Sequence, residues 1–305
     1  MDVALLTDEF IISTCYRRWG LSPKRTSRRQ FNSPCPRCGG DDRFSISSEY
    51  GGYWCRQCDI KGFLDDDNKK VKRDPLLIQK HIEEIARKKQ EQEGKDRAWA
   101  TGFNVGNSWR YWHDQMKPHH RKWWWTQGIS DFWVDYYELG FIPEKEIYHK
   151  EERYIVPAYS IPVRDPETWQ IVDMHYRIAN PPVGVQKYRY QDGVTAKSFY
   201  ARKGNTDTAF VLEGAKKAIV LNAFLNEEYQ VVGMPGCMPH ISVIEKLKVF
   251  RNIWLILDPG TENAVKRFKE IIPRTRVVTV PDKIDDIIIQ GLTRVCLDSL
   301  LEQAR

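Results

Sequence analysis

The chain has 305 residues, with 47 Lys+Arg against 41 Asp+Glu and a net charge of +6, a length that allows about two domains and room for a small third. Its 41% hydrophobic, 29% charged and 12% aromatic residues describe a globular protein and exclude a disordered, fibrous or membrane-spanning chain. The longest near-continuous apolar run, Ile253 to Leu257, is far too short for a bilayer, and Asp2, Asp8 and Glu9 interrupt the N-terminal apolar stretch, so a soluble cytoplasmic protein with no membrane partner is expected.

In chain order, residues 1–64 form a cysteine-bearing unit. The two C-x2-C knuckles Cys35-Pro-Arg-Cys38 and Cys55-Arg-Gln-Cys58, sixteen residues apart, present four thiolates at the spacing of a zinc ribbon. Gly39, Gly40, Gly51 and Gly52 supply the tight turns. The spacing disfavours redox-active or metal-free cysteines, and no further donor lies beside the quartet, so the predicted Zn2+ site is closed and structural. Cys15, Cys237 and Cys296 are scattered, which suits a reducing compartment. Arg17, Arg18, Lys24, Arg25, Arg28 and Arg29 precede the ribbon, and Arg37, Arg43, Phe44, Tyr53, Trp54, Arg56 and Lys61 sit within it. Cations that neutralise phosphates beside rings that stack bases would make a single-stranded nucleic-acid surface; a merely solvated charged face is the plainer alternative.

Asp65 to Lys70 reads as a charged linker, and Ile78, Ile82, Ile85 and Ala86 at helical spacing predict an amphipathic helix from Pro75 to about Gln92. Trp99, Trp109, Trp112, Trp123, Trp124, Trp125 and Trp133 follow, a density that favours a core or seam over a base-stacking platform. Short β-rich runs at Tyr154–Val163, Gln170–Ile178 and Tyr188–Tyr190, punctuated by Pro and Gly, predict an antiparallel unit. Ala209–Glu213, Gln230–Gly233, Asn252–Asp258 and Thr275–Val280 then alternate with helical stretches, the pattern of a parallel, doubly wound sheet.

Ligands of such a sheet sit beyond the carboxyl ends of its strands. Glu213-Gly214 runs there into a helix start bearing Lys216 and Lys217, suited to phosphate, while Asp258-Pro259-Gly260 ends the third strand and Asp282, Asp285 and Asp286 follow the fourth. Carboxylates converging on one rim call for a divalent cation, Mg2+ or Mn2+, and metal-assisted phosphoryl or nucleotidyl transfer is the matching chemistry; helix capping by Glu213 and Asp258 is the structural alternative. Between His175 and Lys203 stand six Lys or Arg, among them Arg177, Lys187, Arg189 and Lys197, against the single acid Asp192, cations with the reach to hold a polyanion. The seven histidines show no ligand spacing.

The order of these pieces resembles the bacterial-type DNA primases, including the primase part of phage primase-helicases. The ribbon Cys35–Cys38 with Tyr53-Trp54-Cys55 to Cys58 is similar to their template-recognising zinc domain, and Trp125–Asp131 through Leu139-Gly-Phe-Ile-Pro143 to the element joining it to the polymerase core. Tyr154–Pro157, His175–Arg177 and Lys187–Tyr190 look like the basic ridge, and Phe210-Val-Leu-Glu213-Gly214 with Leu255-Ile-Leu-Asp258 like the Toprim motifs. The resemblance implies a mixed α/β (α+β) protein with a zinc-ribbon domain at 1–64, a charged linker and helix at 65–98, a helical connector and basic β-unit at 99–205, and a Toprim parallel sheet at 206–305. It implies primer synthesis from ribonucleoside triphosphates on single-stranded DNA. In that reading Glu213 is a metal ligand or general base, Asp258 is a metal ligand, and Lys216, Lys217, Arg177, Lys187, Arg189 and Lys197 hold nucleotide and template. Asp282, Asp285 and Asp286, with Glu262 as another substitute, stand in for the second acid of the Asp-x-Asp motif, whose place Gly260 takes. No G-x4-G-K-S/T loop occurs, so a separate replicative helicase is the expected partner. The missing acid keeps open a non-catalytic, single-strand-binding descendant of a primase, and a Toprim nuclease is the more distant alternative.

Overall fold

The computed structural model describes residues 6–49, 51–64, 75–149, 152–204 and 206–304. It divides into two compact units, Met1–Glu84 and Ile85–Arg305. The charged linker expected at 65–70 lies outside the described residues.

The first unit opens with α1 (Asp8–Trp19), capped by the Thr7 side chain and closed by Gly20 in the left-handed region at φ 67. Five strands follow as an antiparallel meander in sequential order: β1 (Lys24–Ser27), β2 (Gln30–Cys35), β3 (Gly39–Ser47), β4 (Gly52–Cys55) and β5 (Lys61–Phe63). Alternation along β2 and β3 turns Phe31, Phe44 and Ile46 inward onto Ile11 and Cys15 of α1. The knuckles occupy the ends of this meander, where Cys35 pairs in register with Gly39 and Phe44 with Cys55.

Helix α2 (Pro75–Gly106) runs well past the predicted end near Gln92. Gly94 and Gly102 lower its helix propensity, yet the helix persists because Trp99 and Phe103 stack at 4.7 Å and pack against a buried cluster that includes Trp109 and Tyr176. Asn104 ties the same turn to both backbone groups of Ile171. The expected apolar stripe at its start is exposed at Ile82 and Ile85. Three short helices, α3 (Ser108–Asp114), α4 (Pro118–Thr126) and α5 (Asp131–Tyr136), carry six tryptophans: Trp109, Trp124 and Trp133 are buried, Trp112 and Trp123 half-buried, and Trp125 is exposed.

The antiparallel unit is a four-stranded sheet of β6 (Gly140–His149), β7 (Glu152–Arg164), β8 (Ile171–Ile178) and β9 (Tyr188–Tyr190) in sequential order. Strand β6 is unannounced by the sequence pattern, since Pro143 and the charges of Glu144, Lys145 and Glu146 mask it. An irregularity in the β6–β7 register between Ile142 and Lys145 accommodates the proline.

The C-terminal sheet has the order β10-β12-β11-β13-β14, from β10 (Phe199–Tyr200), β11 (Thr208–Glu213), β12 (Gln230–Met234), β13 (Asn252–Ile256) and β14 (Arg276–Val277). The last four are parallel and only β10 is antiparallel, at one edge. Helices α6 (Ala215–Phe224), α7 (Ile241–Lys246), α8 (Glu262–Ile271), α9 (Ile284–Ile289) and α10 (Arg294–Glu302) complete the unit. One core under this sheet joins Phe210, Leu212 and Ile219 to Trp124, Trp133 and Ile161 of the connector and β7, while Val211, Leu255 and Phe268 fill a second. Two-sided burial explains the continuous apolar runs of β11 and β13.

Candidate active site and cysteine cluster

The four sulfurs of Cys35, Cys38, Cys55 and Cys58 lie within 4.8 Å of one another. Cys35 and Cys58 approach to 3.5 Å and Cys38 and Cys55 to 3.6 Å, close to the roughly 3.8 Å edge of a zinc–thiolate tetrahedron. Each knuckle turns a backbone amide onto its leading sulfur, Arg37 onto Cys35 and Gln57 onto Cys55, both at 3.4 Å. Burial raises the Cys35 thiol, but the amides of Arg37 and Cys38 and the neighbouring sulfurs outweigh it and hold it at about 7. Burial and the same sulfurs push Cys38 up to about 12, so a cation is needed to take the quartet fully to thiolate. The donor set fits a closed, structural Zn2+.

Beside this cluster the aromatic residues divide. Phe44 is fully buried and Tyr53 is 9% exposed, so both serve the core, contrary to their expected place on a base-stacking face. Trp54 and Phe63 are exposed and line a groove with Arg29, Gln30 and Lys61. Several of the expected cations are internally paired: Arg25 with Asp8, Arg29 with Glu49, Arg56 with Asp42 and Lys61 with Asp59.

In the second unit, β11 and β13 are adjacent parallel strands with Leu212 opposite Ile256. Glu213 therefore ends one strand and Asp258 lies just beyond the other, at the same edge of the sheet. Gly214, with φ 86, turns the chain sharply into α6 and caps it without a side chain, so Glu213 is not spent on capping. Gly233 of β12 approaches this turn so closely that a Cβ there would lie 2.6 Å from the Gly214 carbonyl oxygen. Burial and the charge of Asp258 raise the Glu213 carboxyl above its ordinary range against the pull of Lys217 and Lys283.

The pocket in front of Glu213 is walled by Gly214, Lys216 and Lys217 on one side and by His175, Tyr188, Arg189 and Tyr190 of the antiparallel sheet on the other. Lys187 lies close enough to Arg177, Lys216 and Lys283 that burial and these three cations depress its pKa, with only Asp286 acting against them. Arg177 sits 4.6 Å over the Trp123 ring, itself stacked on Tyr159 at 3.8 Å, and Arg189 is anchored to the Tyr148 carbonyl. Cations so crowded favour a polyanion between them.

The acids are partnered by lysines rather than gathered together. Lys217 donates to both oxygens of Asp258 at 2.6 Å. Lys216 pairs with Asp285 at 2.7 Å, 12% and 2% exposed respectively, and also donates to Gln127. Asp282 is exposed and accepts from the amide of Lys283, and Asp286 is half-buried. Among the described residues, no three carboxylates bring oxygens within 4.8 Å of one another. Glu262 opens α8, and Gly260, at φ 83, occupies the left-handed region that favours glycine. Lys197 is outside the pocket lining, its ammonium 2.5 Å from Asp96 and its amide bonded to Asp173. Tyr188 and Tyr190 fall within the 187–190 stretch read as the basic ridge and line the pocket together with Arg189, whereas Lys283 was missed and nothing local signals it.

Residues 31–67 match the zinc-binding domain of primase-helicase. The fold is similar to that of the Aquifex aeolicus primase, zinc-binding and RNA polymerase domains, at 14% identity and TM-score 0.52, over 97% of this chain and 83% of that one. It is similar to a DnaG primase catalytic domain bound to single-stranded DNA, at 15% identity and TM-score 0.54, over 70% and 80% of the two chains. The RNA polymerase domain of Mycobacterium tuberculosis primase DnaG, solved with a double-stranded DNA oligomer bearing a 6-nucleotide overhang, matches at 10% identity and TM-score 0.50, over 68% and 81%. No curated protein matches the sequence. At these identities the likeness establishes the fold: a mixed α/β chain, built as the bacterial-type primases are, with a zinc ribbon at its N-terminal end. No helix among the described residues is long and apolar enough to cross a membrane.

Proposed function

We propose that this protein is a DNA primase, making short RNA primers on single-stranded DNA by metal-dependent nucleotidyl transfer from ribonucleoside triphosphates. The observation that carries the reading is the pocket at the end of β11, lined by Glu213, Lys216, Lys217 and Arg189, with Asp258 bonded to Lys217 and with the charges of Lys187 and Lys283 acting on the same groups. The similarity to solved primases supports it.

Mg2+ needs only one or two protein carboxylates when substrate phosphates complete its shell, and Glu213 with Asp258 fits that donor set; Asp282 and Asp286, flanking Lys283, are further carboxylates after the fourth parallel strand. Such an ion would neutralise phosphate charge and make the attacking 3′-hydroxyl more acidic. If Asp258 holds the ion without it, Glu213, whose carboxyl pKa burial raises, is instead the group suited to take the proton from that hydroxyl. Lys187 and Arg189 would bind the triphosphate, and Arg177, held over Trp123, the template phosphates, while Lys216 stays paired with Asp285. Tyr188 and Tyr190 offer ring faces to bases. In this scheme Asp285 and Lys197 keep their structural ion pairs. The zinc ribbon would select the initiation site through Trp54 and Phe63, and a replicative helicase would supply unwound template.

Incorporation of labelled ribonucleotides on single-stranded DNA, with Mg2+ and then Mn2+, tests this. Glu213→Ala should lower incorporation at least about a hundredfold while leaving DNA binding nearly intact. Retained synthesis removes Glu213 from the mechanism. Gly260 and the Lys217–Asp258 pair favour a second reading, a catalytically silent single-strand-binding protein, for which the wild-type chain binds DNA and incorporates nothing with either metal.

A further inference from the structure

The pocket already contains a cation of its own. Lys217 lies on the first turn of α6, and its ammonium bonds both oxygens of Asp258 at 2.6 Å, with the two side chains only 14% and 24% exposed. Its charge also acts on Glu213, as does that of Lys283, while its direct bonds are to Asp258. The loop that could have brought another carboxylate beside Asp258 offers Gly260 instead. With the ammoniums of Lys217 and Lys283 both acting on them, the two carboxylates carry little net negative charge, too little to attract a hydrated divalent ion strongly. An ion approaching Asp258 must also compete for both of its oxygens. Phosphates change that balance, because they supply further oxygen ligands for the ion and a second acceptor for the displaced ammonium.

We propose that Lys217 is the resident cation of this site: it holds Asp258 in the absence of nucleotide and transfers to phosphate when a metal–nucleotide complex arrives, so that free divalent ions bind weakly. This rests on the assignment of Asp258 as a metal ligand, and its test does not depend on primer synthesis. Lys217 acts here as a positioning residue, setting the order in which metal and nucleotide load.

Mn2+ binding to the zinc-loaded full chain, followed by electron paramagnetic resonance without nucleotide, reads the effect directly. An opposite charge at this range shifts a carboxylate's affinity for a proton by one to three units. On that scale Lys217→Met should tighten Mn2+ binding by about tenfold or more. Adding a non-hydrolysable ribonucleoside triphosphate should tighten Mn2+ on the wild type and narrow its difference from Lys217→Met. In Asp258→Asn the site should be lost with either residue at 217. If Lys217→Met fails to fold, judged by its melting transition, Lys217→Gln is measured in its place with the same expectation. Unchanged or weaker Mn2+ affinity in the lysine variant overturns the proposal, as does binding indifferent to Asp258→Asn. Tightening by Lys217→Met in a chain that incorporates no ribonucleotide upholds the proposal and removes the polymerase reading alone.

Discussion

A carboxyl group that burial makes reluctant to ionise works as a base only above its own pKa, and Glu213 is such a group. In the metal-free chain its titration, followed by carboxyl NMR, should therefore lie above the ordinary glutamate range near 4.3, and bound Mg2+ should lower it. Stability carries the opposite sign. A carboxyl whose folded pKa is raised favours the fold while protonated, and that contribution is lost as pH rises from the unfolded value through the folded one. Glu213→Gln does not titrate, so at neutral pH its urea midpoint should equal or exceed the wild type's, with the gap closing below the ordinary carboxylate range, while incorporation falls. A variant destabilised at neutral pH would mean that the attraction of Lys217 and Lys283 outweighs burial. Asp285 calls for a different test, because its pairing with Lys216 is nearly dry and one of its oxygens lacks a partner. Asp285→Ala should cost about 3 to 5 kcal/mol by stranding the Lys216 charge, and Asp285→Leu with Lys216→Met should recover most of it. A double variant as unstable as the single would show that the pair does more than neutralise itself. That Asp285 belongs to an ion pair was not legible in the sequence: an acid after a strand reads equally as ligand or counter-ion, and the choice depends on a lysine about seventy residues away.

Elements were legible where burial alone governs the pattern and obscure where a contact from elsewhere overrides it. The apolar runs of β11, β12 and β13 announce themselves because both faces are covered, and their order in the chain is enough to put Glu213 and Asp258 at one edge. The far end of α2 was hidden behind two glycines, because it is held by neighbours distant in sequence, and β6 was hidden behind a proline and a run of charges although its partner β7 follows it directly. Strand β14 is shorter than its apolar run, Arg276–Val277, although Val278 still donates to the Leu255 carbonyl. The seam between β12 and the β11–α6 turn is the element contact on which the site most depends. Gly233→Ala places a methyl 2.6 Å from the Gly214 oxygen and 2.8 Å from its carbonyl carbon, both rigid backbone. The expected cost is about 1 to 3 kcal/mol, with a lower melting temperature. Because the strain falls on the turn that aims Glu213 and starts α6, incorporation should drop even at temperatures where the variant is fully folded. Full activity there would mean that the turn can shift without moving Glu213.

At the scale of the whole molecule, the two units differ in what holds them. Among the described residues, Ile85–Arg305 encloses three apolar clusters, whereas Met1–Glu84 has one, in which Cys35 and Cys55 are themselves members. Domains this small commonly need a metal or a disulfide to complete their stability, and here four sulfurs at tetrahedral spacing supply the metal site. The sequence revealed that dependence fully, because knuckle spacing is a local property, but it misassigned Phe44 and Tyr53, whose burial is decided by Trp19 packing against both rings at about 5 Å. Removing zinc should therefore act on one unit. A strong chelator, or Cys55→Ser, should abolish the near-ultraviolet signal and amide protection of residues in the ribbon while the parallel sheet keeps its protection and its own melting transition. If the ribbon selects where synthesis starts, the same treatment should impair initiation on a template more than total affinity for DNA, since Lys187, Arg189 and their neighbours remain in place. Loss of protection across both units together would show that the second unit relies on the first for its stability. An unchanged initiation pattern after the ribbon has unfolded would make it architectural, and the choice of start site would then fall to the aromatic and basic wall around Tyr188 and Arg189.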